Sequence, residues 1–198
     1  PRPPPLPLCA KGERFMATMP SAELFDNAKF GVAAAEVLAM DPQHRLLLET
    51  GYEALHGGGG MTRAQLRDSD TGVFLGITNA DFNGLLASSR SVYAATGGTI
   101  SVAAGRLSFT LALQGPCESI DTACSSAIVA THTGALNLTS RDCSPALVVA
   151  VSIYLAPRAS EMSEPRSYCL VDCPACSFIT QRPWGWSCWS LITDYPHC

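Results

Sequence analysis

Three stretches of the chain are predicted to be β-strands. They cover residues 72–77, 117–120 and 146–153. The first and the third are continuous apolar runs without alternating polar residues, as expected for strands that are covered on both faces. The pattern therefore predicts an α/β fold in which an interior mixed or parallel sheet is sandwiched between helices.

The first long helix is predicted to begin at Asp41, a good N-cap, because Pro42 suits the first helical position. Apolar side chains then fall on one face at helical spacing, namely Leu48, Tyr52 and Leu55. His44 and His56 lie on or beside this helix. We expect both to be solvated or capping side chains, because neither has a partner at the spacing of a metal site.

Two further helices are predicted over residues 100–113 and 123–138. Both are rich in small residues, which allow a helix to approach its neighbours closely. In the second helix we expect one small face, formed by Ala123, Ala127, Ala130, Gly134 and Leu138.

Composition divides the chain into three parts. Residues 1–20 are proline-rich and predict a linker or ragged end. The regular elements lie within residues 21–157, which we interpret as one folded portion. Residues 158–198 form a Cys- and Trp-rich tail in which no helical or strand period is found after residue 161. We interpret it as a divergent tail that is either folded or disordered.

The charge and hydropathy of the chain exclude several functions. It has 198 residues, of which 47% are hydrophobic, and a net charge of −4. This balance predicts no nucleic-acid interface, and no apolar run is long enough to span a bilayer. Since Met16 is the first methionine, we expect a piece of a longer chain.

The nine cysteines are an odd number, and no signal peptide precedes them, so we expect a reducing, cytoplasmic location, with a plastid as an alternative. Cys169, Cys173 and Cys176 suggest zinc only superficially, because a second Cys-x-x-Cys pair is missing. We therefore expect no bound metal or cofactor.

Cys124 is the candidate catalytic residue. It lies where the strand at 117–120 gives way to the helix at 123–138. The positive end of a helix stabilises a thiolate, and the Cys124 amide could point at a developing oxyanion. Taken alone, the position also fits a cysteine that simply fills the core.

Residues 121–126, Asp-Thr-Ala-Cys-Ser-Ser, resemble the active-site motif of the β-ketoacyl synthases, as found in ketosynthase domains of polyketide synthases and animal-type fatty acid synthases. Residues 40–49, Met-Asp-Pro-Gln-His-Arg-Leu-Leu-Leu-Glu, resemble an early motif of the same family. Other segments resemble it in the same order, at residues 25–26, 30–31, 72–76, 103–109, 115–116 and 129–132. The resemblance covers about residues 23–157.

The resemblance implies the N-terminal half of a thiolase-like fold and a homodimer that forms near residues 117–120. It also implies that Cys124 takes an acyl chain from an acyl carrier protein, whose own phosphopantetheine arm carries it. A malonyl-type carrier thioester is then decarboxylated and attacks the acyl-cysteine, as in polyketide or fatty acid biosynthesis.

The family's two further histidine motifs do not occur in these 198 residues, and His132 matches a non-catalytic position. We therefore expect a partial ketosynthase that accepts an acyl group without completing turnover. One alternative is a non-catalytic scaffold or dimerisation homologue. Another is a thiolase relative with a different acyl acceptor, which the motif at 40–49 disfavours.

Overall fold

The computed structural model describes residues 23–78, 80–87, 91–153, 155, 175–182 and 185–192. The linker predicted at 1–20 lies outside these residues, as does the tail up to residue 174, so both remain predictions.

The helices are α1 (Asn27–Phe30), α2 (Ala34–Leu38), α3 (Pro42–Glu53), α4 (Arg63–Leu66), α5 (Asp81–Leu86), α6 (Ala94–Gly97), α7 (Ile100–Leu111) and α8 (Ser126–Ser140). Helix α3 continues as a π-helical turn, Ala54–Gly58. It begins as predicted, because the Asp41 carboxylate accepts a hydrogen bond from the Gln43 amide and Pro42 occupies the first helical position.

The strands are β1 (Gly72–Ile77), β2 (Cys117–Ile120), β3 (Pro145–Val151), β4 (Ala175–Arg182) and β5 (Gly185–Ile192). They form one sheet in the order β2-β1-β3-β4-β5. β1 runs parallel to both β2 and β3, whereas β4 and β5 are antiparallel additions. The predicted mixed sheet is therefore confirmed.

The sheet buries a separate apolar layer on each face, because alternate side chains of a strand point in opposite directions. On one face Val73 and Leu75 of β1 pack in a cluster with residues of α3 and α7. On the other face Phe74 packs with Ala130 and Leu138 of α8. Helices cover both faces, so the continuous apolar runs were correctly interpreted as strands buried on both sides.

Two sequence-based expectations about the chain's elements were wrong. A hairpin, β4 and β5, extends the sheet beyond residue 161, where no strand period was found. Its pairing with β3 is a backbone interaction between Pro145–Val151 and a distant segment, which a local period does not report. Helix α8 begins at Ser126 rather than at 123, and its buried side is formed by Ser126, Ala130, Gly134 and Leu138.

Candidate active site

The chain turns sharply between β2 and α8, and Ala123 lies at the centre of this turn. Its φ of 55° is in the left-handed region. A non-glycine residue adopts this conformation at a cost of about 1–2 kcal/mol, so the surrounding structure has to hold it. This conformation is also the reason why α8 cannot begin at residue 123.

Hydrogen bonds from neighbouring polar side chains hold the turn. The Asp121 carboxylate accepts from the Ala123 amide at 3.0 Å. Ser126 Oγ accepts from the Thr122 amide at 2.8 Å and donates to the Ala123 carbonyl at 2.7 Å. Ser125 Oγ donates to the Thr122 carbonyl at 2.7 Å. The polar residues around the cysteine therefore stabilise the strained backbone.

Cys124 is exposed and precedes the first residue of α8 by two positions. The Ser125 amide donates to the Thr122 carbonyl and the Ser126 amide to the Ala123 carbonyl. Within the described part of the chain, the Cys124 amide donates to no partner, unlike the other amides of residues 122–126. The turn thus presents a thiol together with a free backbone donor.

A pocket lies beside Cys124 at the carboxyl edge of the parallel strands. The strands β1 and β3 and the β2–α8 turn all end there, as ligand sites in open α/β sheets do. Its lining consists of Gly76, Thr78, Ala123, Cys124, Ser126, Ala127, Ala150, Val151 and Ser152. Most of these side chains are small, so the floor of the pocket is largely backbone.

Gly76 lets α8 approach the sheet at this pocket. A Cβ atom at Gly76 would lie 2.8 Å from the Ser126 carbonyl carbon and 2.9 Å from the Ala127 nitrogen. Both are backbone atoms of the first turn of α8 and cannot rotate away. The position of this turn, and of Cys124 ahead of it, therefore depends on residue 76 having no side chain.

Sequence analysis did not identify several residues of the pocket, among them Gly76 and Ser152. A glycine inside an otherwise apolar strand is a signal for close backbone approach, and it was available at Gly76. Ser152 directly follows β3, and its Oγ is buried without a hydrogen-bond partner among the described residues. A polar residue at the carboxyl end of an apolar strand is a weaker indication of a pocket residue than a glycine within the strand.

The segment at 40–49 is joined to the chain that follows the pocket residue Ser152. The Gln43 side-chain oxygen accepts from the Ile153 amide at 3.1 Å, which joins the start of α3 to the chain directly after β3. The Arg45 guanidinium donates to the Met40 carbonyl at 2.8 Å and to the Glu23 carbonyl at 3.1 Å. These contacts give the motif a structural role.

His44 is buried, with 1% of its surface exposed, so the expectation of a solvated or capping side chain was wrong. Burial, with a smaller contribution from nearby Arg106, lowers its pKa to about 4, and the imidazole is neutral at pH 7. His56 is exposed and pairs with the Met61 carbonyl, and His132 is exposed on α8. None of these histidines lines the described pocket.

The two other described free cysteines are in different surroundings. Cys117, on β2, is exposed, although partial desolvation raises the pKa of its thiol. Cys143 is buried below the α8 face of the sheet, and this burial raises its pKa to about 11. Neither residue lines the pocket, whereas Cys124 does. Within the described residues no cluster of metal-binding side chains is found.

Comparison with protein families gives a match to the model described as "Beta-ketoacyl synthase, N-terminal domain" over residues 9–178. The matched residues include the β2–α8 turn, the residues that line the pocket, and strands β1 and β3. The chain belongs to the β-ketoacyl synthase family. It is the N-terminal portion of a ketosynthase domain, as the motifs at 40–49 and 121–126 implied, and the match extends beyond residues 23–157 at both ends.

Several similar proteins are named polyketide synthases. The chain is 45% identical over 144 residues to the phenolphthiocerol synthesis polyketide synthase type I Pks15/1 of Mycobacterium bovis, a match that covers 73% of this chain and 7% of that protein. It is 47% identical over 133 residues to the mycoketide-CoA synthase of Mycobacterium tuberculosis, covering 67% of this chain and 3% of that protein.

Among solved structures, the ketosynthase from module 6 of the bacillaene synthase of Bacillus subtilis 168 superposes with a TM-score of 0.66 at 34% identity. The match covers 73% of this chain and 24% of that one. The fold is therefore thiolase-like, as the resemblance implied. The chain thus spans about a quarter of this structure and less than a tenth of these two polyketide synthases.

Within the described residues, no helix combines the length and apolarity needed to cross a membrane.

Proposed function

We propose that Cys124 is the nucleophile that accepts an acyl chain in the first half of a ketosynthase reaction. One observation carries this proposal: the exposed Cys124 thiol lies at the pocket edge beside its own backbone amide, which has no hydrogen-bond acceptor among the described residues. In acyl transfer, such an amide stabilises the oxygen that becomes negative when the carbonyl is attacked. Cys117 and Cys143 lack this arrangement.

In this step the Cys124 sulfur attacks the carbonyl carbon of an acyl thioester. A carbon–sulfur bond to Cys124 forms, and the carbon–sulfur bond to the carrier thiol breaks. The proton that Cys124 loses ends on the departing thiol, so no oxidant or reductant is needed. The free Cys124 amide donates to the carbonyl oxygen while this exchange takes place.

The second half of the parent reaction is decarboxylative condensation with a malonyl-type thioester. It needs the two histidine motifs implied by the family, and the described histidines do not line the Cys124 pocket. We propose that the 198 residues by themselves accept the acyl group without lengthening it. A malonyl-carrier donor added to the acylated chain should give no elongated product at the rate of a complete ketosynthase.

The partners follow from this chemistry. We propose that an acyl carrier protein delivers the acyl chain on its own phosphopantetheine arm, so that this chain binds no cofactor itself. The location proposed from the cysteine usage is cytoplasmic.

We also propose that the parent enzyme is a homodimer assembled through β2. In the described sheet β2 is an edge strand, which leaves one row of its backbone groups available for pairing. Phe109 on α7 is 88% exposed and Ile128 on α8 is 71% exposed. Both helices contact β2, and large apolar side chains that stay exposed beside an edge strand are a reason to expect a protein partner there. Light scattering of the chain tests the proposal, and a strictly monomeric chain at high concentration would contradict dimerisation by this part alone.

The acylation test uses the full chain and a hexanoyl thioester of N-acetylcysteamine, with the modified residue located by peptide mass spectrometry. We expect hexanoylation at Cys124, and its loss in Cys124→Ala. Cys117→Ala is the matched control, since it removes another exposed thiol and should leave Cys124 acylation unchanged. If the parent chain is not acylated at Cys124, the non-catalytic scaffold becomes the better interpretation.

A further inference from the structure

Ser152 brings a hydroxyl group to the Cys124 pocket in addition to those of Thr78 and Ser126. It directly follows β3 and lines the pocket together with Cys124. Its Oγ is buried and has no hydrogen-bond partner within the described part of the chain. Such groups are rare, because burial removes the hydrogen bonds that water would have made. An unused buried donor therefore points to a partner that is bound only during function.

The backbone at Ser152 is fixed, whereas its side chain is not. The amide of the following residue, Ile153, donates to the Gln43 side-chain oxygen at 3.1 Å, which anchors this segment to α3. Rotation of the Ser152 side chain about χ1 breaks no hydrogen bond made among the described residues. The hydroxyl can therefore turn towards a group in the pocket without a competing interaction.

Thr78 also lines the pocket, but its hydroxyl is not among the buried polar atoms that lack a partner. Two other hydroxyl groups near Cys124, those of Ser125 and Ser126, also differ from that of Ser152. Ser126 Oγ already accepts from the Thr122 amide and donates to the Ala123 carbonyl, so it holds the turn. Ser125 Oγ donates to Thr122. Because both serines serve the strained backbone, recruiting either for a ligand would break a bond that positions Cys124.

We propose that the Ser152 hydroxyl donates a hydrogen bond to the carbonyl oxygen of the acyl group that Cys124 accepts. The inference rests on the proposed function, since it needs an acyl thioester in this pocket. A carbonyl oxygen has two lone pairs and can accept from the Cys124 amide and from Ser152 together. Gly76 and Ala150, which also line the pocket, add no bulky side chain to it.

Ser152→Ala tests the proposal in the full chain. Hexanoyl-N-acetylcysteamine is a suitable acyl donor because the carbonyl is the only oxygen in its acyl group. Loss of one neutral hydrogen bond should lower the rate of Cys124 acylation about fivefold to tenfold. The rate of Cys124 alkylation by iodoacetamide should stay unchanged, because that reaction uses the thiol without an acyl carbonyl. The melting temperature should not fall, since Ser152 Oγ makes no hydrogen bond to any of the described residues.

Ser108→Ala is the matched control. Ser108 is also a buried serine, but its Oγ donates to the Leu113 carbonyl at 3.2 Å and lies outside the pocket. Its replacement should lower the melting temperature and leave Cys124 acylation unchanged. A purely structural role for Ser152 would give both serine variants the same behaviour, which would overturn the proposal.

The remaining outcomes are equally decisive. Equal acylation rates in the parent and Ser152→Ala would overturn the role of Ser152 while leaving Cys124 as the acyl acceptor. A parallel loss of acylation and alkylation would mean that Ser152 acts on the thiol and not on the carbonyl, and would also overturn it. If the parent chain is alkylated at Cys124 but never acylated, the proposed function and the role of Ser152 both fail.

Discussion

Replacing Gly76 by alanine should displace the amino end of α8. The added methyl group would meet the Ser126 carbonyl carbon at 2.8 Å, where carbon atoms in good contact are about 3.5–4.0 Å apart. The helix must therefore withdraw by roughly 0.7 Å or the strand must bend. Overpacking of this kind costs about 1–3 kcal/mol, and we expect the melting temperature to fall by about 2–12 °C.

The same displacement should reach the thiol. Ser126 Oγ holds the Thr122 amide and the Ala123 carbonyl, so a shift of Ser126 moves the turn that carries Cys124. Small misplacements of reacting groups are costly, and we expect Cys124 acylation by the hexanoyl thioester to fall at least about tenfold. Thermal unfolding by circular dichroism and peptide mass spectrometry measure the two effects on the same sample.

Gly105→Ala is the matched control for this experiment. Gly105 lies inside α7, and a Cβ atom there would meet nothing within 4 Å. Alanine is favoured over glycine in a helix by about 0.5–1 kcal/mol, so this variant should be slightly stabilised and should acylate normally. A Gly76→Ala chain with the melting temperature and acylation rate of the parent would refute the close approach of α8 as the factor that positions Cys124.

Three further predictions follow from buried groups. The pKa of His44 is about 4 in the folded chain, below the usual 6.5. Its contribution to the free energy of unfolding is therefore complete above pH 6.5, and up to about 3 kcal/mol of it is lost as the pH falls towards 4. The free energy of unfolding, measured in urea at pH 6.5 and at pH 4, should differ less between the two pH values in His44→Gln than in the parent. The exposed control His56→Gln should behave like the parent. Asp41→Ala should lower the free energy of unfolding, measured in urea, by about 1 kcal/mol because the α3 cap is lost. Asp41→Asn keeps a side-chain acceptor and should lower it less. Equal losses in the two variants would contradict the capping role. Cys143, whose pKa is raised to about 11, should resist iodoacetamide at pH 8 until the chain unfolds, and rapid labelling of the native chain would show that it is not buried.

Sequence patterns located the elements well where the local signals agreed. Strands β1 and β2 and the start of α3 match their predicted positions, because glycine-bounded apolar runs and an Asp-Pro cap are local features. The start of α8 was predicted three residues too early. Its true position depends on the left-handed Ala123 and on the Ser126 hydroxyl, which bonds back across the turn.

Burial was harder to predict than secondary structure. His44 lies in a helix whose pattern does not distinguish a solvated histidine from a buried one, and it is buried by α3 packing in the folded chain. Strand β4 was missed because its pairing with β3 joins segments about 30 residues apart, and β5 joins the sheet only through β4. In both cases the deciding contacts come from parts of the chain that are distant in sequence.

The sequence by itself determined the family and the α/β class, because ordered motifs and apolar periods are properties of neighbouring residues, and it predicted Cys124 as the nucleophile. Only the tertiary structure decided what surrounds that cysteine. Parallel strands bring Gly76, Ser152 and the β2–α8 turn to one edge of the sheet, although up to 76 residue positions separate them. That meeting depends on strand order and on the close approach of α8. It places beside the thiol an amide and a hydroxyl that have no partner among the described residues.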